Sequence, residues 1–377
     1  MNRRDFSRLA VGASVFTATD TLSASPVIDA ATLAQRVRPG VFESGKHNDL
    51  TDVEGVSVGH VTLIEGDSIR TGVTAIRPHG GNLFQQKVPG AVYVGNAFGK
   101  MAGSTQVNEL GNIETPIILT NTLSIGAAIE GAVKHTLKQP GNEKVLSVNA
   151  LAGETNDGVL NDIRAMRVTA NDVVAAIESA TAGPVKQGCV GAGTGTVCFG
   201  WKGGIGSSSR ILPAQYGGYT VGALVQTNFG GLLTMNGFPV GKAFGKKLYP
   251  ADGSCMIVVA TDAPLDQRNL YRLAKRAVFG LARTGSAYSN GSGDYAIAFS
   301  TSKQNVIAYD QSGSAARSFL SNDSISPLFE AVLEVVEESV YNSLLHATTT
   351  TGNGKTIEAL PLDQLSTLLD KDLARHP

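Results

Sequence analysis

The chain of 377 residues has almost no excess of charge, few aromatic residues and very few cysteines. Its formal net charge is −1, so its electrostatics favour neither nucleic acid nor an anionic membrane surface as a partner. The three cysteines are an odd number without metal-type spacing, which argues against a disulfide framework. No stretch is long and apolar enough to span a bilayer, so we expect a soluble mature protein without a membrane anchor.

What the chain has in abundance is apolar residues and glycine. Hydrophobic residues make up 42% of the chain, and 44 residues are glycine. This composition is typical of a compact, well-buried protein with many tight turns. Strand and helix patterns follow one another without a regular βαβ repeat. We therefore expect an α/β fold of layered sheets with helices outside them rather than a doubly wound sheet.

The first 30 residues differ from the rest and resemble a twin-arginine export signal. Arg3 and Arg4 precede Phe6, and a mildly apolar stretch follows at residues 9–18. Such a signal is read by a receptor on a folded cargo, so we expect a periplasmic protein. The alternative is a disordered basic tail on a cytoplasmic protein. Residues 31–377 are expected to form a single domain.

A loop rich in chain-breaking residues runs into an apolar stretch around residue 254. The sequence YPADGSC occupies residues 249–255 and MIVVAT follows at 256–261, which predicts a turn that opens a buried strand. A serine preceded by glycine at such a point suits a chain that cuts its own backbone. Attack of the Ser254 hydroxyl on the Gly253 carbonyl gives an ester that water hydrolyses, and glycine leaves the path of attack open.

After such a cut, Ser254 carries its own base. An α-amino group has a reference pKa of about 7.7–8, so it can accept the proton of the hydroxyl on the same residue. No catalytic histidine is then required. Cys255 is a rival nucleophile, although a cysteine inside an apolar strand is more often a core residue. The simplest alternative for the Gly–Ser pair is a turn that leads into a core strand.

The rest of the chain predicts strands and helices in mixed order. Asn171 is expected to cap one of the helices, and Gly285 is expected to follow the end of another. Strands are expected at residues 56–61, 71–76, 91–96, 117–120, 145–150, 197–200, 219–228 and 295–301. Helices are expected at residues 125–137 and 172–180, from about 266 to 285, and at 327–346. Polar glycine loops are expected at residues 153–158 and 289–294, and a long loop at 230–252.

Several motifs together point to one family. They include TGVT at 71–74, PHGGN at 78–82, ETPI at 114–117, GETNDG at 153–158, VQTNFG at 225–230, DGS at 252–254 and GSGD at 291–294. From about Asn48 to Leu360 the chain resembles the L-aminopeptidase/D-esterase family, which includes the β-peptidyl aminopeptidases. The resemblance implies an αββα four-layer sandwich like the N-terminal-nucleophile hydrolases but with different connectivity. It also implies self-cleavage into an α chain of residues 31–253 and a β chain of residues 254–377, associated in a homotetramer.

The resemblance further implies the activity and the residues that carry it. The expected activity is release of N-terminal L-, D- or β-amino acids from peptides, amides or esters, without a metal or organic cofactor. The matching positions are Ser254 as nucleophile, Asn228 as oxyanion donor, Glu154 as partner of the substrate ammonium, and Ser292 as a serine that hydrogen-bonds near the new amine. Asp294 falls at an acidic position that is glutamate in some β-aminopeptidases. Asn156 departs from the pattern, because some members have an oxyanion-stabilising tyrosine there and an amide has a shorter reach.

Other interpretations of the same residues remain open. The same nucleophile would serve an amidase or acyltransferase acting on a non-peptide substrate. The chain could also be an uncleaved binding protein that has lost activity. Glu154 and Asn156 could simply belong to an Asx turn, and Ser292 and Asp294 to an ordinary hairpin loop.

Overall fold

The structure is a computed structural model that describes residues 28–248 and 253–375. The predicted export signal, except for its last three residues, and loop residues 249–252 lie outside this part of the chain. The helices are α1 (Ala30–Arg36), α2 (Ser104–Leu110), α3 (Ile125–Leu137), α4 (Ala170–Glu178), α5 (Val240–Ala243), α6 (Gln267–Arg283), α7 (Ser326–Leu345) and α8 (Leu362–Arg375).

The strands run from β1 near the amino end to β16 near the carboxyl end. They are β1 (Ser57–Glu65), β2 (Ile69–Arg77), β3 (Gln86–Ala97), β4 (Met101–Ala102), β5 (Asn112–Ile113), β6 (Ile117–Asn121), β7 (Leu151–Thr155), β8 (Val197–Cys198), β9 (Trp201–Lys202), β10 (Ile205–Ile211), β11 (Thr220–Asn228), β12 (Ser254–Thr261), β13 (Gly293–Ser300), β14 (Ile307–Ala308), β15 (Thr350–Gly352) and β16 (Lys355–Ile357).

Two large sheets stack face to face. The first has the strand order β1-β2-β6-β7-β4, and the second has the order β10-β11-β12-β13-β3-β14, with β5 also pairing with β3. Strand β12 shows why they stack, since its residues alternate between two apolar environments. Met256 and Val258 point into the core between the sheets, whereas Ile257 and Val259 point to the outer face of the second sheet.

Helices cover the outer face of each sheet. Helices α3 and α4 pack on the first sheet through small and branched residues such as Ala128 and Val173. Helices α6 and α7 cover the second sheet, where Leu273 and Val336 belong to the same apolar cluster as Val259. The order of layers is therefore helix, sheet, sheet, helix, and the predicted αββα sandwich is confirmed.

Most predicted elements exist with small changes in their bounds, and three predictions need correction. The helix predicted at 172–180 begins at Ala170 and is capped by Thr169 rather than by Asn171. The Thr169 hydroxyl accepts from the Asp172 N–H, and the Asp172 carboxylate accepts from the Thr169 N–H. Residues 145–150 form no strand, and the next strand is Leu151–Thr155, which takes up the first three residues of the polar loop predicted at 153–158. The long loop after Gly230 contains the short helix α5. No helix in the described part of the chain is long and apolar enough to cross a membrane.

Candidate active site

Ser254 begins the central strand of the second sheet. Strand β12 lies between β11, which is antiparallel to it, and β13, which is parallel. In this register Ser254 lies opposite Asn228 on one side and opposite Gly293 on the other. Its side chain is 5% exposed and lines a cavity, so the sheet holds the hydroxyl firmly while leaving it accessible.

Gly253 can only be glycine because backbone from the neighbouring strand crowds it. A Cβ atom placed there would lie 1.9 Å from the Asn228 carbonyl oxygen and 2.7 Å from Phe229 Cα. The Gly253 carbonyl accepts a hydrogen bond from the Gly293 N–H at 3.1 Å. The same N–H lies 3.2 Å from Ser254 Oγ. One backbone donor therefore faces both the carbonyl and the hydroxyl that self-cleavage requires.

The amide of Asn228 is held in one orientation by two backbone groups. Its Oδ1 accepts from the Val197 N–H at 2.9 Å, and its Nδ2 donates to the Asn156 carbonyl at 2.9 Å. An amide nitrogen carries two N–H groups, so one donor remains after these contacts. The supporting groups of Val197 and Asn156 are backbone atoms, and no side-chain signal in the sequence could have indicated them.

Asn156 lies in the cavity wall, but its side chain is used by its own loop. Its Oδ1 accepts from the Gly158 N–H at 2.9 Å, which is the Asx turn that the simpler interpretation of the sequence predicts. The residue is exposed and lines the cavity together with Asn228. Asn156 contacts the site through its backbone carbonyl, which accepts a hydrogen bond from Asn228 Nδ2.

Glu154 brings a buried negative charge to the same cavity. It lies on β7 rather than in a loop and is 2% exposed. Its Oε1 accepts from the Lys100 backbone N–H at 2.8 Å, and its Oε2 accepts from the Thr122 hydroxyl. The Lys100 ammonium lies 3.6 Å from Oε1. This carboxylate is fixed by groups from two other segments and still faces open space.

The cavity gathers five of the seven predicted site residues, and the other two lie outside its wall. Its volume is about 740 Å³, and its wall includes Glu154, Asn156, Asn228, Gly253 and Ser254. The remaining candidates, Ser292 and Asp294, are not in this wall. Ser292 lines a neighbouring cavity of about 130 Å³, and Asp294 is fully buried at the start of β13.

Asp294 has an ionisable side chain that is fully buried. Burial raises its pKa to about 6, against a smaller lowering by the Ser292 hydroxyl, the Cys255 N–H and the Asn96 side chain. The nearby thiol of Cys255 is also fully buried, and burial together with the Asp294 charge raises its pKa well above the ordinary value. A thiolate is therefore strongly disfavoured at Cys255, which leaves Ser254 as the accessible nucleophile.

The described residues contain no group of three or more histidine, cysteine or acidic side chains arranged to hold a metal ion. The three cysteines are unpaired. The polar side chains in the cavity wall include the Ser254 hydroxyl, the Asn228 amide and the Glu154 carboxylate, and the Gly293 N–H donates to Ser254 Oγ at 3.2 Å.

Comparisons with known proteins agree on one family. The sequence model of peptidase family S58 matches residues 48–357. The β-peptidyl aminopeptidase BapA of Sphingosinicella microcystinivorans is 39% identical over 367 residues, which cover 88% of this chain and 90% of that protein. A solved protein of Pyrococcus horikoshii OT3, PH0078, is 47% identical with a TM-score of 0.85, covering 91% of this chain and 99% of that one. The L-aminopeptidase D-Ala-esterase/amidase of Ochrobactrum anthropi, described as a variant of the Ntn hydrolase fold, is 33% identical with a TM-score of 0.84 and coverage of 90% and 98%.

Proposed function

The chain belongs to peptidase family S58 and is an aminopeptidase, and we propose that its active form begins at Ser254, after self-cleavage of the Gly253–Ser254 bond. The observation that carries this proposal is the shared Gly293 N–H, which lies 3.1 Å from the Gly253 carbonyl oxygen and 3.2 Å from Ser254 Oγ. This supports the proposal, because one backbone donor lies within hydrogen-bond distance of both the hydroxyl and the carbonyl that it would attack.

Self-cleavage proceeds by an acyl shift within the loop-to-strand junction. Ser254 Oγ attacks the Gly253 carbonyl carbon, and the charge that develops on its oxygen is stabilised by the Gly293 N–H. The C–N bond breaks, the Ser254 nitrogen takes a proton, and Gly253 remains as an ester on Oγ. Water hydrolyses the ester, which leaves a carboxylate on Gly253 and a free amine on Ser254.

Turnover then repeats the same geometry on a substrate. The substrate carbonyl takes the place that the Gly253 carbonyl held, with the Gly293 N–H on one side and the free Asn228 N–H on the other. The Ser254 amine accepts the hydroxyl proton during attack and returns it to the leaving amine. Water releases the acyl group from Ser254 in the second half of the reaction. Two fixed donors in a partly enclosed cavity supply the oxyanion stabilisation.

The restriction to chain ends comes from Glu154. Its carboxylate is 2% exposed, is held by the Lys100 N–H and the Thr122 hydroxyl, and lines the cavity with Ser254. A charge-assisted hydrogen bond that the substrate ammonium donates to this carboxylate places the first peptide bond at the nucleophile. Internal peptide bonds lack that ammonium, so the proposed activity releases N-terminal residues.

Ser292 and Asp294 are proposed to act on the nucleophile's amine rather than on the substrate. Ser292 directly precedes β13 and Asp294 is its second residue, next to the strand that Ser254 begins, and both lie outside the wall of the large cavity. A buried acid near a new ammonium favours its charged form and so tunes the pKa of the base.

Substrate classes proposed for the chain are L-, D- and β-aminoacyl peptides, amides and esters, in keeping with the names of its relatives. Export by the twin-arginine signal and assembly as a homotetramer are part of the same proposal.

The proposal is tested by the mass of the purified protein and by its activity on aminoacyl p-nitroanilides. We expect two polypeptides, with the second beginning at Ser254, and release of p-nitroaniline. In Ser254→Ala both processing and turnover should be lost. Cys255→Ala is the matched control and should be processed and active. A single intact chain that is fully active, or a second polypeptide that starts elsewhere, would overturn the proposal.

A further inference from the structure

Lys100 is a cation in the wall of the cavity to which the proposed reaction assigns no role. Among the described residues that line the cavity it is the only positive charge, as Glu154 is the only negative one. Its side chain is 52% exposed, whereas Glu154 is 2% exposed. The cavity therefore carries charges of both signs, which suits a ligand that is itself a zwitterion.

The Lys100 ammonium is not needed to hold Glu154. The carboxylate already accepts from the Lys100 backbone N–H at 2.8 Å and from the Thr122 hydroxyl, whereas the ammonium lies at 3.6 Å. At that distance the half-exposed ammonium contributes little to the pair, because water competes for the cation. The ammonium can leave Glu154 without stranding a buried charge.

The backbone that carries Lys100 is fixed against the start of β13, the strand beside β12. The Phe98 N–H donates to the Ser292 carbonyl at 3.2 Å. A Cβ atom on Gly99 would lie 3.2 Å from Glu154 Oε1 and 3.5 Å from Gly293 Cα, so the segment fits tightly between the carboxylate and the oxyanion donor. Only the flexible four-carbon stem of Lys100 is free to move within the cavity.

We propose that Lys100 is a specificity-determining residue that binds the free C-terminal carboxylate of a short peptide. This inference rests on the proposed function, in which Glu154 takes the substrate ammonium. An ammonium bound at Glu154 repels the Lys100 ammonium, which then turns toward the far end of the substrate. The cavity volume of about 740 Å³ lies in the range of small-molecule sites, so both ends of a dipeptide fit within reach. The favoured substrates are dipeptides with an ionised C-terminus.

The experiment compares a dipeptide with its own C-terminal amide, both beginning with the residue that is best cleaved as a p-nitroanilide. At neutral pH only the free acid carries a carboxylate, so the pair differs in one charge. The native enzyme should prefer the acid. Lys100→Met should lower kcat/KM for the acid about tenfold through KM, as expected for a lost charge-assisted contact, and change the amide about twofold or less. Lys100→Arg should keep the preference for the acid.

Lys303→Met is the matched control, because Lys303 is 87% exposed and pairs only with the exposed Glu54 among the described residues. It should leave both substrates unchanged. If Lys100→Met lowered kcat/KM equally for the acid and the amide, the proposal would be overturned. A rise in kcat/KM for both would also overturn it, because it would show that Lys100 competes with the substrate ammonium for Glu154. Failure of the proposed function has a different signature: Ser254→Ala would still hydrolyse both substrates.

Discussion

At the residue scale, Gly253 shows how little room the cleavage junction has. The virtual Cβ contact of 1.9 Å is with the backbone oxygen of Asn228, which cannot rotate away as a side chain would. Gly253→Ala must therefore push the scissile carbonyl away from Ser254 Oγ and the Gly293 N–H. Because a displacement of about 1 Å costs catalysis about 100-fold, we expect self-cleavage to slow by roughly that factor.

The measurement for Gly253→Ala is the fraction of intact chain over time, read by denaturing electrophoresis. Gly126→Ala is the control, since no heavy atom lies within 4 Å of a Cβ placed there. It should be processed at the native rate. Native-rate processing of Gly253→Ala would mean that the junction is not confined as the structure indicates.

The buried carboxylate of Asp294 should lower the stability of the folded protein at neutral pH. Its folded pKa is raised to about 6 from the ordinary 3.8, so between these values the folded state holds more protons than the unfolded state. Stability is therefore lost as pH rises through this window, and the full cost is present above pH 6. A pKa difference of about two units between the folded and unfolded states corresponds to about 3 kcal/mol of stability. Asp294→Asn removes the charge and should raise the free energy of unfolding at pH 7.5 by up to about that amount.

This comparison is made in the Ser254→Ala background, where both chains stay intact and processing cannot confuse the result. Urea unfolding at pH 7.5 should favour the Asn variant, whereas at pH 4 the two should nearly coincide. A gain of the same size at both pH values would assign the effect to packing rather than to the charge. An acid that is buried at a cost in stability, without a role in packing, is typical of a functional site.

At the element scale, helix α7 depends on a buried ion cluster that joins it to β10. Arg210 contacts Glu334 at 2.8 Å and Glu338 at 2.6 Å, and all three side chains are at most 1% exposed. Arg210→Met leaves two buried carboxylates without their cation, which should cost about 3–5 kcal/mol. The urea midpoint at pH 7.5 measures this loss.

Lys303→Met serves again as the control, because the exposed pair it breaks should change stability by about 0.5 kcal/mol or less. A similar midpoint for Arg210→Met and the native protein would show that the cluster is not what fixes α7 on the sheet.

The elements also show what could be predicted from the sequence. Helix α3 has the predicted bounds of residues 125–137, and α7 differs from its prediction by one residue at each end, because a strong apolar period and a proline at the start are local signals. Strand β10 was not predicted, since three serines interrupt its pattern. Those serines are fully buried and their hydroxyls bond to distant groups: Ser207 to the Ala223 carbonyl, Ser208 to the Val335 carbonyl and Ser209 to Asp52.

The same limit applies to the site. Ser254 and Gly253 are adjacent in the chain, so their chemistry could be predicted from local sequence. The Gly293 N–H and the Val197 N–H are backbone groups whose positions depend on strand register, and residue type does not encode them. Lys100 approaches Glu154 through a contact between segments that lie 54 residues apart, so only the folded structure assigns it to the cavity.

At the scale of the whole molecule, the proposed self-cleavage divides the chain but not the fold. The proposed β chain supplies β12 and β13, which lie between β11 and β3 of the proposed α chain. Helix α7 of the β chain packs on β10 of the α chain, and the Arg210 cluster crosses the same boundary. Removing either chain would open the centre of the second sheet. We therefore expect the two chains to elute together from a size-exclusion column in native buffer.

The backbone cut should nevertheless change how the free energy of unfolding depends on protein concentration. Each intact Ser254→Ala protomer unfolds to one molecule, whereas each processed protomer unfolds to two, so the processed form should lose more stability on dilution than the intact form. Tenfold dilution should lower its apparent free energy of unfolding by about 1.4 kcal/mol relative to the intact variant. Urea midpoints of both proteins at two concentrations measure this difference. Subunit dissociation would shift both proteins alike, so a difference between them isolates the backbone cut. Equal midpoints at both dilutions would show that the two polypeptides unfold as though still joined, which a break after Gly253 does not allow.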